Sequence, residues 1–175
     1  MIFMKKIILA VCISLLPILS SNSFQIDPNK IRREKLEKAL ELNSWELISN
    51  RTPIYLKKCN LSEEGIVAYV TRSPKEVFIC TTSIDKFDVD ELAFILLHEH
   101  WHYLNSQYSD ELTEEKDADT YAASMAKMLG FDNSVCENFI KMAGGWSNPD
   151  LFFYTDSTHP APLKRYSSCL SIFKN

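Results

Sequence analysis

The sequence predicts an α+β domain in which a small antiparallel sheet packs on two long helices. Three observations lead to this fold class. A polar helical pattern begins at Asp27-Pro28, short β-rich runs lie between residues 54 and 82, and two longer helical patterns follow from Asp88 and Asp110. A chain of 175 residues has the length of one domain and is long enough to bury a core.

The first 23 residues have the pattern of a secretory signal peptide. Lys5-Lys6 precede a mostly apolar run over residues 7–19, and small residues follow as far as Ser23. The run is shorter than the roughly 20 apolar residues of a membrane-spanning helix, so we expect no stable span once the signal is removed. A retained anchor is the alternative. Residues 24–175 then form a single exported domain, either periplasmic or secreted.

The net charge and the cysteine content indicate which partners and which cellular compartment are expected. Loss of the two leader lysines leaves 17 basic and 23 acidic residues and no basic stripe, so nucleic acid is not an expected partner. Four cysteines remain, an even number in an export context that permits disulfides. We expect Cys59–Cys80 to join two strands and Cys136–Cys169 to join two late helices. Buried free thiols are the alternative.

The chain before its centre is expected to contain one helix and three short strands. The first helix is expected from Asp27-Pro28 to about Asn50. Three β-rich runs follow, separated by turn signals at Glu63-Glu64-Gly65 and Ser73-Pro74. Their expected ranges are Ile54–Cys59, Ile66–Thr71 and Val77–Thr82. Two or three of these runs should form a small antiparallel sheet.

The next helix, expected from about Asp88 to Leu104, is apolar on nearly all sides, which indicates a buried central helix. Its apolar residues are Val89, Leu92, Ala93, Phe94, Ile95, Leu96 and Leu97. A second helix should begin after Asp110 as N-cap and end near Gly130. Its buried stripe is Ala118, Ala122, Met125 and Leu129. A shorter helix at Asn133–Ala143 and a last helix from about Ala161 complete the chain.

An H-E-x-x-H sequence, residues 98–102, ends the central helix pattern. Positions i and i+4 share one helix face, so His98 and His102 can direct two imidazoles at one ion. Glu99 projects beside them, where it can act as a general base. This zincin-like arrangement predicts a zinc site. His100 points away by about half a turn and is not an expected ligand.

A catalytic zinc usually has three protein ligands, so a carboxylate is expected as the third. The second helix offers Glu111, Glu114 and Glu115, and periodicity does not choose among them. Asp119, four residues beyond Glu115, can accept a hydrogen bond from the second ring nitrogen of a ligand histidine. This favours Glu115 as the third ligand. The alternative is that the acidic cluster only complements the positive N-terminus of its helix.

Three further segments carry a family resemblance. Residues 115–119 resemble the E-x-x-A-D segment of the gluzincin family that includes the heat-shock protease HtpX and the CAAX prenyl proteases. Val77–Thr82, followed by Asp90-Glu91-Leu92-Ala93, resembles the family's edge strand and the entry to its active-site helix. Thr158-His159-Pro160, with Arg165 further on, resembles its S-T-H-P segment and the following basic residue. The resemblance spans about residues 54–166.

The resemblance implies a compact, minimal gluzincin fold with Glu115 as zinc ligand and Asp119 supporting a ligand histidine. It also implies that His159 lies near the metal, as a fourth ligand or as an oxyanion helper. The chain departs from the family at Trp101, where a small residue is usual, and in the short stretch between the two motifs. It also lacks an N-A-F-x-x-P-like segment before the edge strand.

The expected function is therefore an exported zinc-dependent endopeptidase with one Zn²⁺ and a protein or peptide substrate. Glu99 is the expected general base, and His159, Tyr154 or Arg165 are candidate oxyanion helpers. The strand at Val77–Thr82 is expected to pair with an extended substrate. The alternatives are a zinc-containing binding module, a latent protease whose metal site is closed by His159, and a metal-free domain of an export pathway. The sequence carries no signal for the oligomeric state.

Overall fold

The computed structural model describes residues 27–43, 52–59, 67–105, 110–142, 150, 153 and 159–174, so the expected signal peptide lies outside the described residues. These residues form an α+β arrangement. Its strands are β1 (Ile54–Lys57), β2 (Ala68–Arg72) and β3 (Lys75–Cys80). Its α-helices are α1 (Pro28–Leu42), α2 (Thr81–Ile84), α3 (Val89–Leu104), α4 (Glu111–Met128), α5 (Asn138–Met142) and α6 (Pro162–Lys174). A 3₁₀ helix (Asn133–Glu137) precedes α5.

The three strands form a mixed sheet in the order β1-β3-β2, so the expectation of an antiparallel sheet was wrong for one of its two pairs. β2 and β3 form an antiparallel hairpin around Ser73-Pro74, whereas β1 runs parallel to β3. Strand direction alternates along the chain, but β3 lies between β1 and β2. The two strands that share a direction are therefore neighbours.

The strand order also shows that the expectation of an edge strand at Val77–Thr82 was wrong. β3 carries most of the run Val77–Thr82 and is bonded on both sides, so it is the central strand. Thr81 and Thr82 leave the sheet and begin α2. The edge that remains beside the helices is β2, whose residues contact α3.

The central helix α3 is buried as expected, and it packs on α1, on the sheet and on α4. Its start is fixed by a capping box, because Asp88 accepts from the backbone N–H of Glu91 while Glu91 accepts from that of Asp88. Two buried amide side chains from other segments also bond to its backbone. Asn43 donates to the carbonyl of Ala93, and Asn138 donates to the carbonyl of Glu91. These contacts fix the position of α3 and of the residues at its C-terminal end.

α4 approaches α3 through small side chains. The residues of α4 that are fully buried are Ala118, Ala122, Ala123 and Ala126. Short side chains allow two helix backbones to come close, and this brings the polar residues near the start of α4 to the end of α3. α4 ends at Met128 and Gly130 follows its C-cap Leu129, near the expected end of the helix. The φ of +83° at Gly130 is a left-handed conformation that glycine adopts without strain.

Both expected cysteine pairs lie at disulfide distance. Cys59 and Cys80 have S–S and Cα–Cα distances of 1.86 and 5.4 Å, and they connect the residues after β1 to the end of β3. Cys136 and Cys169 have distances of 2.00 and 5.7 Å, and they connect the 3₁₀ helix to α6. Within the described ranges, no helix is both long enough and apolar enough to cross a membrane.

Candidate metal centre

The last turns of α3 bring two histidines together at the cleft. His98 and His102 lie one helical turn apart on the same face, with their Nε2 atoms 3.1 Å from each other. Both side chains are about one-eighth exposed. Two ring nitrogens at this separation can contact the same ion.

Glu115 on α4 completes a group that can hold a metal ion. Its Oε1 lies 3.2 Å from Nε2 of His102, and its Oε2 lies 3.3 Å from Nε2 of His98. Donor atoms bound at 2.0–2.1 Å around a tetrahedral ion are separated by about 3.3 Å. The Nε2–Nε2 separation and the distance from each Nε2 to the nearer Glu115 oxygen are close to this value. One ligand atom from each residue lies within 4.8 Å of the others, so the three residues could hold a metal ion.

The other ring nitrogen of each histidine faces a carboxylate of α4. Nδ1 of His102 lies 3.2 Å from Oε1 of Glu114. Nδ1 of His98 lies 3.0 Å from Oδ1 of Asp119, as a close ion pair rather than a well-aligned hydrogen bond. A carboxylate at Nδ1 favours the tautomer that leaves Nε2 to bind a metal. This arrangement independently supports a metal site at the Nε2 atoms.

Sequence reasoning placed Asp119 beside a histidine but missed Glu114, which it weighed only as a ligand. The signal was the antiparallel direction of the two helices. Glu115 faces both histidines. Because α3 and α4 are antiparallel, a residue after Glu115 should lie beside His98, and a residue before Glu115 should lie beside His102. Asp119 and Glu114 satisfy these two conditions.

Charge pairing dominates the electrostatics of the site. Burial lowers the pKa of His98, but the carboxylates of Asp119 and Glu115 outweigh this and raise the pKa to about 10. Burial raises the pKa of Glu115, yet His102 and His98 hold it well below its ordinary value. Burial likewise raises the pKa of Asp119, and His98 and Arg165 bring it below the ordinary value. His98 and the carboxylates of Glu115 and Asp119 therefore stabilise one another's charged forms.

Glu99 lines the same cleft as the three donor residues. Its side chain lies beside the histidines at 8 % exposure, and this burial raises the pKa of its carboxyl group. His100 is outside the donor group, with its Nδ1 3.1 Å from Oγ1 of Thr52. The Trp101 ring packs edge-on against the His102 ring, with centroids 5.5 Å apart.

Three residues near the end of the chain, His159, Arg165 and Tyr154, are candidate oxyanion helpers. His159 lies at the mouth of the site, 48 % exposed, with Nε2 3.5 Å from Oε2 of Glu115. Arg165 is turned toward carboxylates, with Nη2 2.7 Å from Oδ1 of Asp119 and 3.5 Å from Oε2 of Glu115. Tyr154 lies outside the described residues. The oxyanion roles proposed for these three residues stay predictions.

The donor group opens into a cleft of about 420 Å³. The edge strand β2 and the helices α3 and α4 all contribute residues to its lining. Apolar side chains adjoin the polar ones, because Phe94 and Ile95 lie one helical turn before His98 and Glu99. Further apolar lining is contributed by Val67, Ala68, Val70, Phe139 and Met142. The cleft therefore combines a backbone edge of the sheet, an apolar surface and a group that could hold a metal ion.

Comparison with known proteins gives no relative: no protein-family model, no curated protein and no solved structure matches the chain.

Proposed function

We propose that this protein is an exported zinc-dependent endopeptidase, a diverged and minimal member of the HtpX and CAAX protease group of gluzincins. The observation that carries the proposal is the convergence of His98, His102 and Glu115 beside the buried carboxyl group of Glu99. Two histidines and one carboxylate are a donor set typical of catalytic zinc, which keeps a further position open. A purely structural site has no need of an adjacent base.

Zinc, when bound by these three residues, supplies Lewis acidity that polarises a carbonyl group and lowers the pKa of water. Glu99 then takes a proton from the attacking water molecule and passes it to the leaving amine. Its burial suits both tasks, because a carboxyl group with a raised pKa holds the proton between the two transfers. Asp119 and Glu114 keep the ligand rings in place during the reaction.

An extended peptide is the substrate form that the cleft favours. β2 has no strand on its outer side among the described residues, and residues 67–72 line the cleft. A peptide can add to such an edge by backbone hydrogen bonds. The backbone pairing identifies the available groups: Cys80 donates to the carbonyl of Val67, so Ala68, Val70 and Arg72 face their N–H and C=O groups outward.

The proposal is tested with Glu99→Gln, which keeps the shape of the side chain and removes the base. We expect the variant to bind zinc with the parent's stoichiometry and to lose peptide hydrolysis by at least about a hundredfold. Glu37→Gln, an exposed change on α1, is the matched control and should hydrolyse at the parent's rate. Hydrolysis is followed with casein and by identification of the cleaved bonds. Casein cleavage by Glu99→Gln at the parent's rate rejects the assignment.

A latent form of the same enzyme is a second candidate, because Nε2 of His159 lies 3.5 Å from the Glu115 donor oxygen. A histidine at this position can occupy the open coordination site of the metal. Under this candidate His159→Ala raises hydrolysis, whereas under the first candidate it leaves hydrolysis unchanged or lowers it. Stoichiometric zinc with no hydrolysis in either the parent or His159→Ala favours a zinc-containing binding module instead.

A further inference from the structure

Arg165 makes a bidentate contact with one carboxylate that itself touches a metal-ligand histidine. Its Nε and Nη2 atoms each lie 2.7 Å from an oxygen of Asp119. This fork geometry engages both carboxylate oxygens and fixes the rotation of the group as well as its distance. Nη2 also lies 3.5 Å from Oε2 of Glu115. One guanidinium therefore contacts the two carboxylates of α4 that face His98.

The oxygen that Arg165 holds is the same oxygen that His98 contacts. Oδ1 of Asp119 lies 2.7 Å from Nη2 of Arg165 and 3.0 Å from Nδ1 of His98. A free aspartate side chain rotates about its last bond and can present either oxygen. With both oxygens engaged by the guanidinium, Asp119 presents Oδ1 to the histidine in one orientation.

Arg165 is itself held by residues outside the metal site. Its side chain is only 10 % exposed, and its guanidinium carbon lies 4.6 Å from the ring centroid of Phe139. Phe139 belongs to α5, whereas Arg165 lies in the first turn of α6. The guanidinium thus connects two helices at the end of the chain to the donor group on α3 and α4.

We propose that Arg165 is a positioning residue of the metal site. It holds the Asp119 carboxylate against Nδ1 of His98, and this keeps Nε2 of His98 directed at the point where His102 and Glu115 meet. The positioning role requires only the contacts that the guanidinium of Arg165 already makes. An oxyanion role would require Nη2 to break its contact with Asp119 or Glu115. The inference rests on the proposed metal site and does not depend on peptide hydrolysis.

The test measures metal binding directly, with Co²⁺ as the probe and a chelator as competitor. Removal of groups that orient ligand histidines costs about 10–100-fold in metal affinity, and we expect this loss in Arg165→Met. Arg165→Lys keeps the charge without the fork and should also bind Co²⁺ more weakly than the parent. The visible absorption spectrum of bound Co²⁺ should change in both variants, because the angle of one ligand ring changes.

A double variant separates positioning from general support of the fold. If Arg165 acts through Asp119, Arg165→Met in an Asp119→Asn background should cost little beyond Asp119→Asn alone. Lys164→Met, on the neighbouring exposed residue, should leave the Co²⁺ affinity unchanged. Additive losses in the double variant, or parent-like Co²⁺ affinity in Arg165→Met, overturn the proposal. If Arg165→Met does not fold, the Co²⁺ affinity and the absorption spectrum of Arg165→Lys are the test. Parent-like values of both quantities overturn the proposal.

Discussion

Oε1 of Glu114 lies 3.2 Å from Nδ1 of His102, so the second donor histidine has a carboxylate partner of its own. Glu114 and Glu115 are neighbours on α4, yet they face opposite nitrogens of the same ring: Glu114 faces Nδ1 and Glu115 faces Nε2. Under the proposed function, the two consecutive glutamates therefore have different roles. Glu115 would be a donor to the metal, and Glu114 would fix the ring that donates beside it.

Glu114→Gln should weaken metal binding without abolishing it. The amide can still accept a hydrogen bond from Nδ1, but it no longer supplies the negative charge that makes the ring a stronger donor. We expect a loss of up to about tenfold in zinc affinity, measured by chelator competition. Asp117→Asn is the matched control, because it removes one charge from the same helix at a residue that does not line the described cleft. Equal losses in both variants would show that only the net charge of α4 matters.

Val70→Pro should impair peptide hydrolysis with little effect on the fold. Proline removes the N–H of Val70, which points to the open edge of β2 and makes no bond to β3. The loss of one backbone hydrogen bond to the substrate should lower kcat/KM by about tenfold.

Leu56→Pro is the matched control for this variant. Val77 donates to the carbonyl of Pro53, so the N–H of Leu56 points to the opposite edge of the sheet, away from the cleft. Leu56 and Val70 are both half-buried against the same core cluster, so the two prolines disturb packing to a similar degree. Equal kcat/KM values for the two variants would exclude pairing of the substrate with β2.

Loss of the Cys136–Cys169 pair should reduce both stability and metal affinity. The cysteines are 33 residues apart, and a crosslink over this separation contributes about 3–4 kcal/mol by its effect on the unfolded chain. Cys169 lies one helical turn after Arg165 on α6, so replacing both cysteines by alanine also loosens the helix that holds Arg165. Urea unfolding measures the first effect and chelator competition measures the second.

The second cysteine pair is an internal control. Cys59 and Cys80 are 21 residues apart, so their removal should cost a similar free energy of unfolding. This pair joins the residues after β1 to the end of β3 and does not involve α6, so its removal should leave the metal affinity at the parent's value. A similar fall in metal affinity for both double variants would contradict a specific link through α6.

The parts of the site that follow helix periodicity could be predicted from the sequence. His98 and His102 are separated by one turn of one helix, and the relation of Glu115 to Asp119 is again four residues on one helix. The sheet order could not be predicted in this way, because the position of β3 between β1 and β2 depends on contacts between distant segments. The contacts of Arg165 were missed for the same reason: they join the last helix to α4 over 46 residues.

Metal binding near neutral pH should release a proton from His98. In the metal-free protein the carboxylates of Asp119 and Glu115 raise its pKa to about 10, above the ordinary value of 6.5. The folded, metal-free protein therefore keeps this proton from pH 6.5 to about 10, and a cation must displace it from Nε2. Metal affinity should rise with pH across this window, by up to about tenfold per unit, because one proton competes for the site. Calorimetry at pH 7.5 in buffers of different ionisation enthalpy measures the proton count, and a count of zero would contradict a protonated His98.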